Sequence, residues 1–419
     1  MKRVLMVAFH FPPLAGSSGI QRTLRFAQHL PAFGWQPLVL TASTGAYERT
    51  SNDLDAEVPA GLVVRRALAF DAGRQLSLRG RYPGVLARPD RWMTWQFDGV
   101  RVGDSMIREF RPETLWSTYP IATAHLIAEK LHRRFNVPWV ADFRDPMAQV
   151  GYPADPKTWN SFKRIEEAAH DKAARSIFTT PGAARMYQAR YPQSADRIRV
   201  IENGYDDESF SVGESEATAL GPLRPGVTTL LHSGIVYPSE RDPSQLMEAL
   251  GGLNRAGVID ARRLRVRFRA AVHDELLASL ARRYGVEDLV ELLPPIPYRE
   301  ALVEMIRADG LLVLQASNCN EQVPAKLYEY FRARRPLLVL TDPAGDTAQV
   351  SLGAGVTRVA RLDSADDIAV LVGDFVNDPA SRAGLIPGSS AISAASRKGR
   401  AQALAALLDE AAATAGRQR

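Results

Sequence analysis

The chain has 419 residues, too many for one ordinary hydrophobic core, and so points to two domains. Its 46% hydrophobic and 24% charged residues, with a net charge of +5, are those of a soluble globular protein, and no window approaches the ~20 uninterrupted apolar residues of a membrane span. The single cysteine, Cys319, excludes a disulfide framework and a cysteine-based metal site and fits the cytosol.

The first ten residues have a basic opening and an apolar run too short for a signal peptide, so they read as a buried strand. Strand-like and helix-like runs then alternate. In the first half strands are expected at 3–9, 36–41, 62–65, 114–117, 137–143, 176–179 and 197–201, with helices at 19–33, 99–110, 121–135, 159–174 and 182–190. Gly213, Gly221, Pro222, Pro225 and Gly226 mark a linker. The alternation restarts with strands at 228–232, 265–269, 290–293, 310–314, 337–340 and 356–359, and helices at 243–253, 274–283, 298–308, 325–334 and 365–376. An Ala- and Leu-rich helix closes the chain. This is an α/β chain with two doubly wound, Rossmann-like parallel-sheet domains, whose ligands belong in a central cleft at the carboxyl ends of the strands. The expected boundaries are 1–210 for the first domain, 211–226 for the linker, 227–393 for the second domain, and 394–419 for a helix that can pack back on the first.

Residues 320–330 read Asn-Glu-Gln-Val-Pro-Ala-Lys-Leu-Tyr-Glu-Tyr, placing Glu321 in a loop and Lys326 and Glu329 at the start of a helix. Free amides and the positive dipole end of a helix suit an anion, and Glu329 can accept from a cis-diol such as a ribose. Pro324 offers no N–H, so amide contacts fall to Gln322, Val323, Ala325 or Lys326. The plainer reading is a surface pairing at i,i+3 and i,i+4. The first strand is followed by Gly16-Ser17-Ser18-Gly19, where glycines permit close backbone approach; this is not G-x-G-x-x-G and lacks an acid ~20 residues on, so a nicotinamide cofactor is not expected. Val200-Ile201-Glu202-Asn203-Gly204-Tyr205-Asp206 ends a strand in a tight turn, and Ser233-Gly234 opens the second domain's first strand-to-helix turn. Arg74, Arg79, Arg81, Arg88 and Arg91 are interleaved with Trp92, Met93, Trp95 and Phe97. Such a stretch is either a membrane- or anion-facing surface or a solvated arginine loop over packed aromatics, and no nucleic-acid-binding signature accompanies it. His125 falls within a helix and reads as structural.

In this order, these pieces resemble the retaining nucleotide-sugar glycosyltransferases of the GT-B fold, family four (glycosyl transferases group 1). The branch they resemble builds bacterial surface or capsular polysaccharides. Three segments are especially similar to that branch: 323–330, Pro89-Asp90-Arg91-Trp92-Met93-Thr94-Trp95, and Val140-Ala141-Asp142-Phe143-Arg144-Asp145-Pro146. The resemblance implies that Glu329 holds the donor ribose, that Glu321 lies against the donor sugar, and that Lys326 and Arg241 face the diphosphate, with Ser233, Gly234 and Val323 lining the donor site. It gives Gly16, Ser17, Ser18 and Gly19 to the acceptor or diphosphate loop, and Asp142, Arg144 and Asp145 to the acceptor side. Two departures stand out: Ile235 fills the place of the family's arginine, and the first domain's histidine has no counterpart, with Arg144 near its place.

The implied reaction moves a sugar from a nucleotide diphosphate to a hydroxyl on a lipid-linked or polysaccharide precursor, with retention and without metal or cofactor. Cations and amides stabilise the departing diphosphate, its oxygen takes the acceptor's proton, and domain closure excludes water. The expected setting is cytoplasmic, at the inner face of a membrane, where the Arg74 to Phe97 stretch meets the acceptor. Two alternatives stay open: a nucleotide-sugar 2-epimerase of the same fold, and a non-catalytic subunit that binds a nucleotide sugar or lipid.

Overall fold

The computed structural model describes residues 1–17, 19–77 and 82–416, so Ser18, Arg79 and Arg81 lie outside the described residues. It divides into two units, one of Met1–Asn203 joined by the chain from Arg397 onward, the other of Gly204–Ser396.

The first unit runs β1 (Lys2–Val7), α1 (Gly19–His29), β2 (Trp35–Ala42), β3 (Val63–Ala67), α2 (Ala72–Gln75), α3 (Trp95–Phe110), β4 (Thr114–Thr118), α4 (Thr123–Phe135), β5 (Trp139–Arg144), α5 (Pro156–Lys172), β6 (Arg175–Phe178), α6 (Pro181–Arg190) and β7 (Ile198–Val200). All seven strands are parallel in the order β3-β2-β1-β4-β5-β6-β7. Strand β1 is central, and Val4 to Val7 are wholly buried because helices cover both faces of the sheet. Sheet growth reverses between β1 and β4, which puts the β1–α1 turn at a topological switch point.

The second unit runs α7 (Asp207–Leu220), β8 (Thr228–Ser233), α8 (Ser244–Arg255), β9 (Leu264–Arg269), α9 (Asp274–Tyr284), β10 (Val290–Leu293), α10 (Tyr298–Arg307), β11 (Gly310–Gln315), α11 (Lys326–Ala333), β12 (Leu337–Thr341), α12 (Asp346–Gly353), α13 (Ala365–Asn377) and α14 (Ser389–Ala394). Its sheet is parallel in the order β10-β9-β8-β11-β12, with the reversal between β8 and β11. The chain then closes with α15 (Arg397–Gly416), which belongs to the first unit. Its Ala401, Leu404, Leu408 and Ala411 are buried in one cluster with Phe26, Leu30 and Trp35, and Asp409 accepts from Lys2 Nζ (2.7 Å) and Trp35 Nε1 (3.0 Å).

Two doubly wound parallel-sheet units are the composition of the GT-B class. Three expectations differ from the structure. The stretch expected as a linker is helical as far as Leu220, because Phe210 and Ala217 are buried and Gly213 gives α10 room: a Cβ there would stand 3.4 Å from Val303. Residues 356–359 form no strand and leave one isolated bridge, Leu340 to Ala360, since the apolar run is too short to add a ladder beyond β12. Helix α12 is not expected from the sequence, because its small and polar residues carry little periodicity.

Candidate functional site

In the second unit the predicted donor residues gather where β8 and β11 end. Ser233 closes β8, and its amide donates to the buried Tyr330 hydroxyl on α11 (2.8 Å). Gly234 follows with φ 117°, a conformation that favours glycine, and its amide donates to the Arg269 carbonyl (2.8 Å). Lys326, the first residue of α11, extends over this turn; a Cβ on Gly234 would stand 2.9 Å from its Nζ. Nζ lies 3.2 Å from His232 Nε2. Burial, then the nearby Arg241 charge, lower the lysine pKa to about 7, against a weaker opposite pull from Glu329. Arg241 donates to the Ile235 carbonyl (2.7 Å) and lies over the Tyr237 ring at 5.0 Å. Its Nε is buried with no partner among the described residues. Glu329 Oε1 accepts from the Tyr298 hydroxyl of α10 (2.9 Å), and half of Tyr298 is exposed.

The loop ahead of α11 is pinned on both sides. The Ala316 amide donates to the Glu240 carbonyl (2.7 Å), Asn318 Nδ2 to the Ser239 carbonyl (2.9 Å), and Thr347 Oγ1 to the Gln322 carbonyl (2.9 Å). The Gln322 amide is taken by the Cys319 carbonyl (3.0 Å), so it is not open to a ligand. The amides of Val323, Ala325 and Lys326 have no backbone acceptor among the described residues. Glu321 is exposed in this loop, and Val323 is buried beneath it. A cavity of about 800 Å³ opens beyond the same loop, between residues 238–239, 242, 244–245, 316–318, 342–344 and 361–363. It contains none of the predicted donor residues.

In the first unit, Gly16 (φ 80°) and Ser17 form the turn into α1, with Ser17 Oγ 3.0 Å from His10 Nδ1 and accepting from the Gly19 amide (3.2 Å). Gly19 is required by crowding: a Cβ there would collide with the His10 ring and stand 2.9 Å from Arg144 Nη1. Burial, then the Arg144 charge, hold the His10 pKa down to about 4. Arg144 ends β5 at φ 61° and donates weakly to the Tyr119 carbonyl (3.5 Å), while its Nε is buried without a partner among the described residues. Burial lowers its pKa, chiefly, with Arg22 adding to the effect. A cavity of about 270 Å³ adjoins His10, Gly16, Ser17 and Trp92. Asp145 lies at its neighbour's side, 3.4 Å from Thr179 Oγ1.

Asp142 is different in kind. Its carboxylate is wholly buried and bound at both oxygens by Arg22 of α1, Nε at 2.8 Å and Nη2 at 3.2 Å. Arg22 also donates to the Ile201 and Glu202 carbonyls. This pair ties α1, β5 and the end of β7 together, with the Asp142 carboxylate wholly buried. The Pro89 to Trp95 segment is likewise largely structural. Asp90 accepts from the Thr123 amide (2.8 Å) at the start of α4, Arg91 binds the buried Asp71 (Nε, 2.9 Å), and Trp95 is buried. His125 is buried against Phe143 and Trp139, with Ser117 Oγ 2.7 Å from Nδ1, and burial lowers its pKa to about 3.

Three further residues belong with the predicted ones: His232, Tyr330 and Tyr298. Each sits in a strand or helix by pattern, and nothing in its local sequence distinguishes it from a core or surface side chain.

Residues 18–204 match the family model of the Glycosyl transferase 4-like domain. The chain is 29% identical over 241 residues to the D-inositol 3-phosphate glycosyltransferase of Nocardiopsis dassonvillei, a match covering 53% of this chain and 52% of the relative. It thus spans about half the length of the curated relatives it matches. Among solved structures, the α,α-trehalose 6-phosphate synthase of Burkholderia multivorans has the same fold, with a TM-score of 0.64 at 13% identity over 100% of this chain and 99% of that one. The Anabaena protein HepE, solved in complex with UDP and glucose, has a TM-score of 0.56 at 14% identity over 100% and 98%.

Proposed function

We propose that this protein is a glycosyltransferase that moves a sugar from a nucleotide diphosphate sugar to a hydroxyl acceptor with retention of anomeric configuration. The observation that carries the reading is the Lys326 ammonium over Gly234, beside Arg241, on the same helix as Glu329. A cationic slot and a carboxylate one turn apart match a diphosphate joined to a ribose. The family match of the first unit, the glycosyltransferase relatives and the UDP complexes of a protein of the same fold support it. In this reading Lys326, Arg241 and the free amides of Val323, Ala325 and Lys326 stabilise the leaving diphosphate, a contribution of about 3 kcal/mol for each well-placed donor. Glu329, steadied by Tyr298, takes the ribose hydroxyls, and Glu321 faces the sugar.

On the acceptor side the reading keeps Gly16, Ser17 and Gly19, with Arg144 and Asp145, and gives Asp142 the task of holding that corner together. The acceptor in this reading is a lipid-linked or polysaccharide precursor. Leu68, Phe70 and Phe97 are 60%, 44% and 66% exposed. They are held close by Thr94 bonding to Phe70 and by Asp98 accepting from the Leu68 amide, and they offer an apolar face to a membrane. No helix among the described residues is long and apolar enough to cross one.

The test is a thermal-shift screen against nucleotide sugars, followed by donor consumption with and without an acceptor extract. A nucleotide sugar should raise the melting temperature and be consumed only with acceptor. Consumption without acceptor, releasing an epimer or free sugar, would replace the transferase with an epimerase. Binding without consumption under either condition would leave a carrier subunit.

A further inference from the structure

An ammonium has three donors and no acceptor, and burying one without an anion is costly. Among the described residues the hydrogen-bond partner of Lys326 Nζ is the His232 ring, at Nε2. The other ring nitrogen, Nδ1, faces the Leu312 carbonyl at 2.9 Å. A carbonyl can only accept, so with Nδ1 donating to Leu312 the neutral ring turns the Nε2 lone pair toward the ammonium, while the Ile235 carbonyl is a second, weaker backbone contact of the ring. A charged ring would set two cations in contact. Burial, then the Lys326 charge and more weakly Arg241, hold the His232 pKa well below its usual value, against smaller opposite pulls from the Leu312 and Ile235 carbonyls. His232 is therefore a neutral ring that accepts from Lys326 when Nδ1 donates to the neighbouring strand β11.

The other walls of the slot are charged or spoken for. Arg241, from the loop after β8, repels the ammonium; Glu329, one turn along α11, attracts it more weakly than burial and Arg241 oppose it. The Tyr330 hydroxyl is engaged by the Ser233 amide. Gly234 leaves the space that Nζ and Cε occupy, since a Cβ would stand 2.9 and 3.4 Å from them. The slot thus holds its cation against a neutral hydrogen-bond partner, with Glu329 a weak anionic neighbour, and a diphosphate would supply a stronger counter-charge.

We propose that His232 is a positioning residue for Lys326, and that a nucleoside diphosphate entering the slot draws one proton from solvent onto the Lys326 amine as it binds. This rests on the donor reading of the site. The amine is partly neutral in the free protein near pH 7 and becomes a full ammonium in the complex, so binding and protonation are linked.

Calorimetric titration of the full chain with UDP, ADP, GDP and dTDP at pH 8, in buffers of different ionisation enthalpy, counts the protons directly. The terminal phosphates, with a second pKa of roughly 6, are already ionised there. The expected result is uptake of about one proton, with Kd rising toward tenfold per pH unit above pH 7.5. His232→Leu removes the acceptor and should move the onset of that rise about one pH unit lower. His232→Gln keeps an acceptor and should restore it. Binding by the wild type without proton uptake, or a His232→Leu profile superimposed on the wild type, overturns the proposal and leaves the donor site standing. Should His232→Leu fail to fold, the wild-type proton count and the His232→Gln profile decide. Failure of all of these nucleotides to bind the wild type overturns the donor reading and the proposal together.

Discussion

Lys326 and Glu329 sit one turn apart on α11, yet their surroundings treat charge in opposite ways. The lysine is half-buried against a neutral imidazole, and the glutamate meets a half-exposed tyrosine hydroxyl. Replacing Lys326 by Met should cost ~10²-fold or more in kcat/KM while leaving the melting temperature unchanged or raised, because the buried cation is removed together with its desolvation cost. The pH dependence has a definite sign. An unfolded lysine titrates near 10.5 and the folded one near 7, so the unfolded chain binds more protons between those values. This group's contribution to stability therefore rises with pH across that window and is lowest below pH 7. Lys326→Met should flatten that rise in denaturant titrations at pH 7, 8.5 and 10. Asp142 calls for a different expectation. Asp142→Ala leaves Arg22 buried without its anion, and unfolding titration should show a loss of about 3–5 kcal/mol. Activity should fall only in proportion to unfolded protein, whereas Arg144→Ala, at a side chain facing the β1–α1 turn, should lower turnover in a well-folded enzyme.

At the scale of elements, the parallel strands were legible because each is a short apolar run set between helical patterns. Glu321, Lys326 and Glu329 were legible by spacing. The role of His232 was not, since its tautomer is set by the Leu312 carbonyl, 80 residues along the chain on another strand. The ion pair of Asp142 was not legible for the same reason: its partner Arg22 lies 120 residues earlier and appears in the sequence as an ordinary helical arginine. Helix α7 was hidden by Gly213, which reads as a breaker but is there to admit Val303. In α15, Leu404 and Leu408 are fully buried against the first unit's core. Leu404→Ala or Leu408→Ala should each cost about 2–5 kcal/mol, measurable by chemical denaturation.

For the molecule as a whole, two units with separate cores predict two unfolding steps unless their stabilities coincide, and a bound nucleotide should raise only the step of the second unit. Replacing Leu68 and Phe97 together by Ser should weaken association with anionic vesicles without lowering donor binding, measured by vesicle sedimentation at two salt concentrations. Equal sedimentation of wild type and variant would remove the membrane from the account of the acceptor.

The return of α15 to the first unit also sets a schedule. On the ribosome, the strands of that unit emerge by Asn203, but the helix that covers Phe26, Leu30 and Trp35 begins at Arg397. At ~5–20 residues per second the 193 residues from Gly204 to Ser396 take roughly 10–40 s to make. For that interval the first-made unit carries an open apolar face, while the unit encoded inside it can finish first. Nascent chains released before Arg397 should accordingly be captured by chaperones through the first unit, and α15 acts as the step that closes this unit.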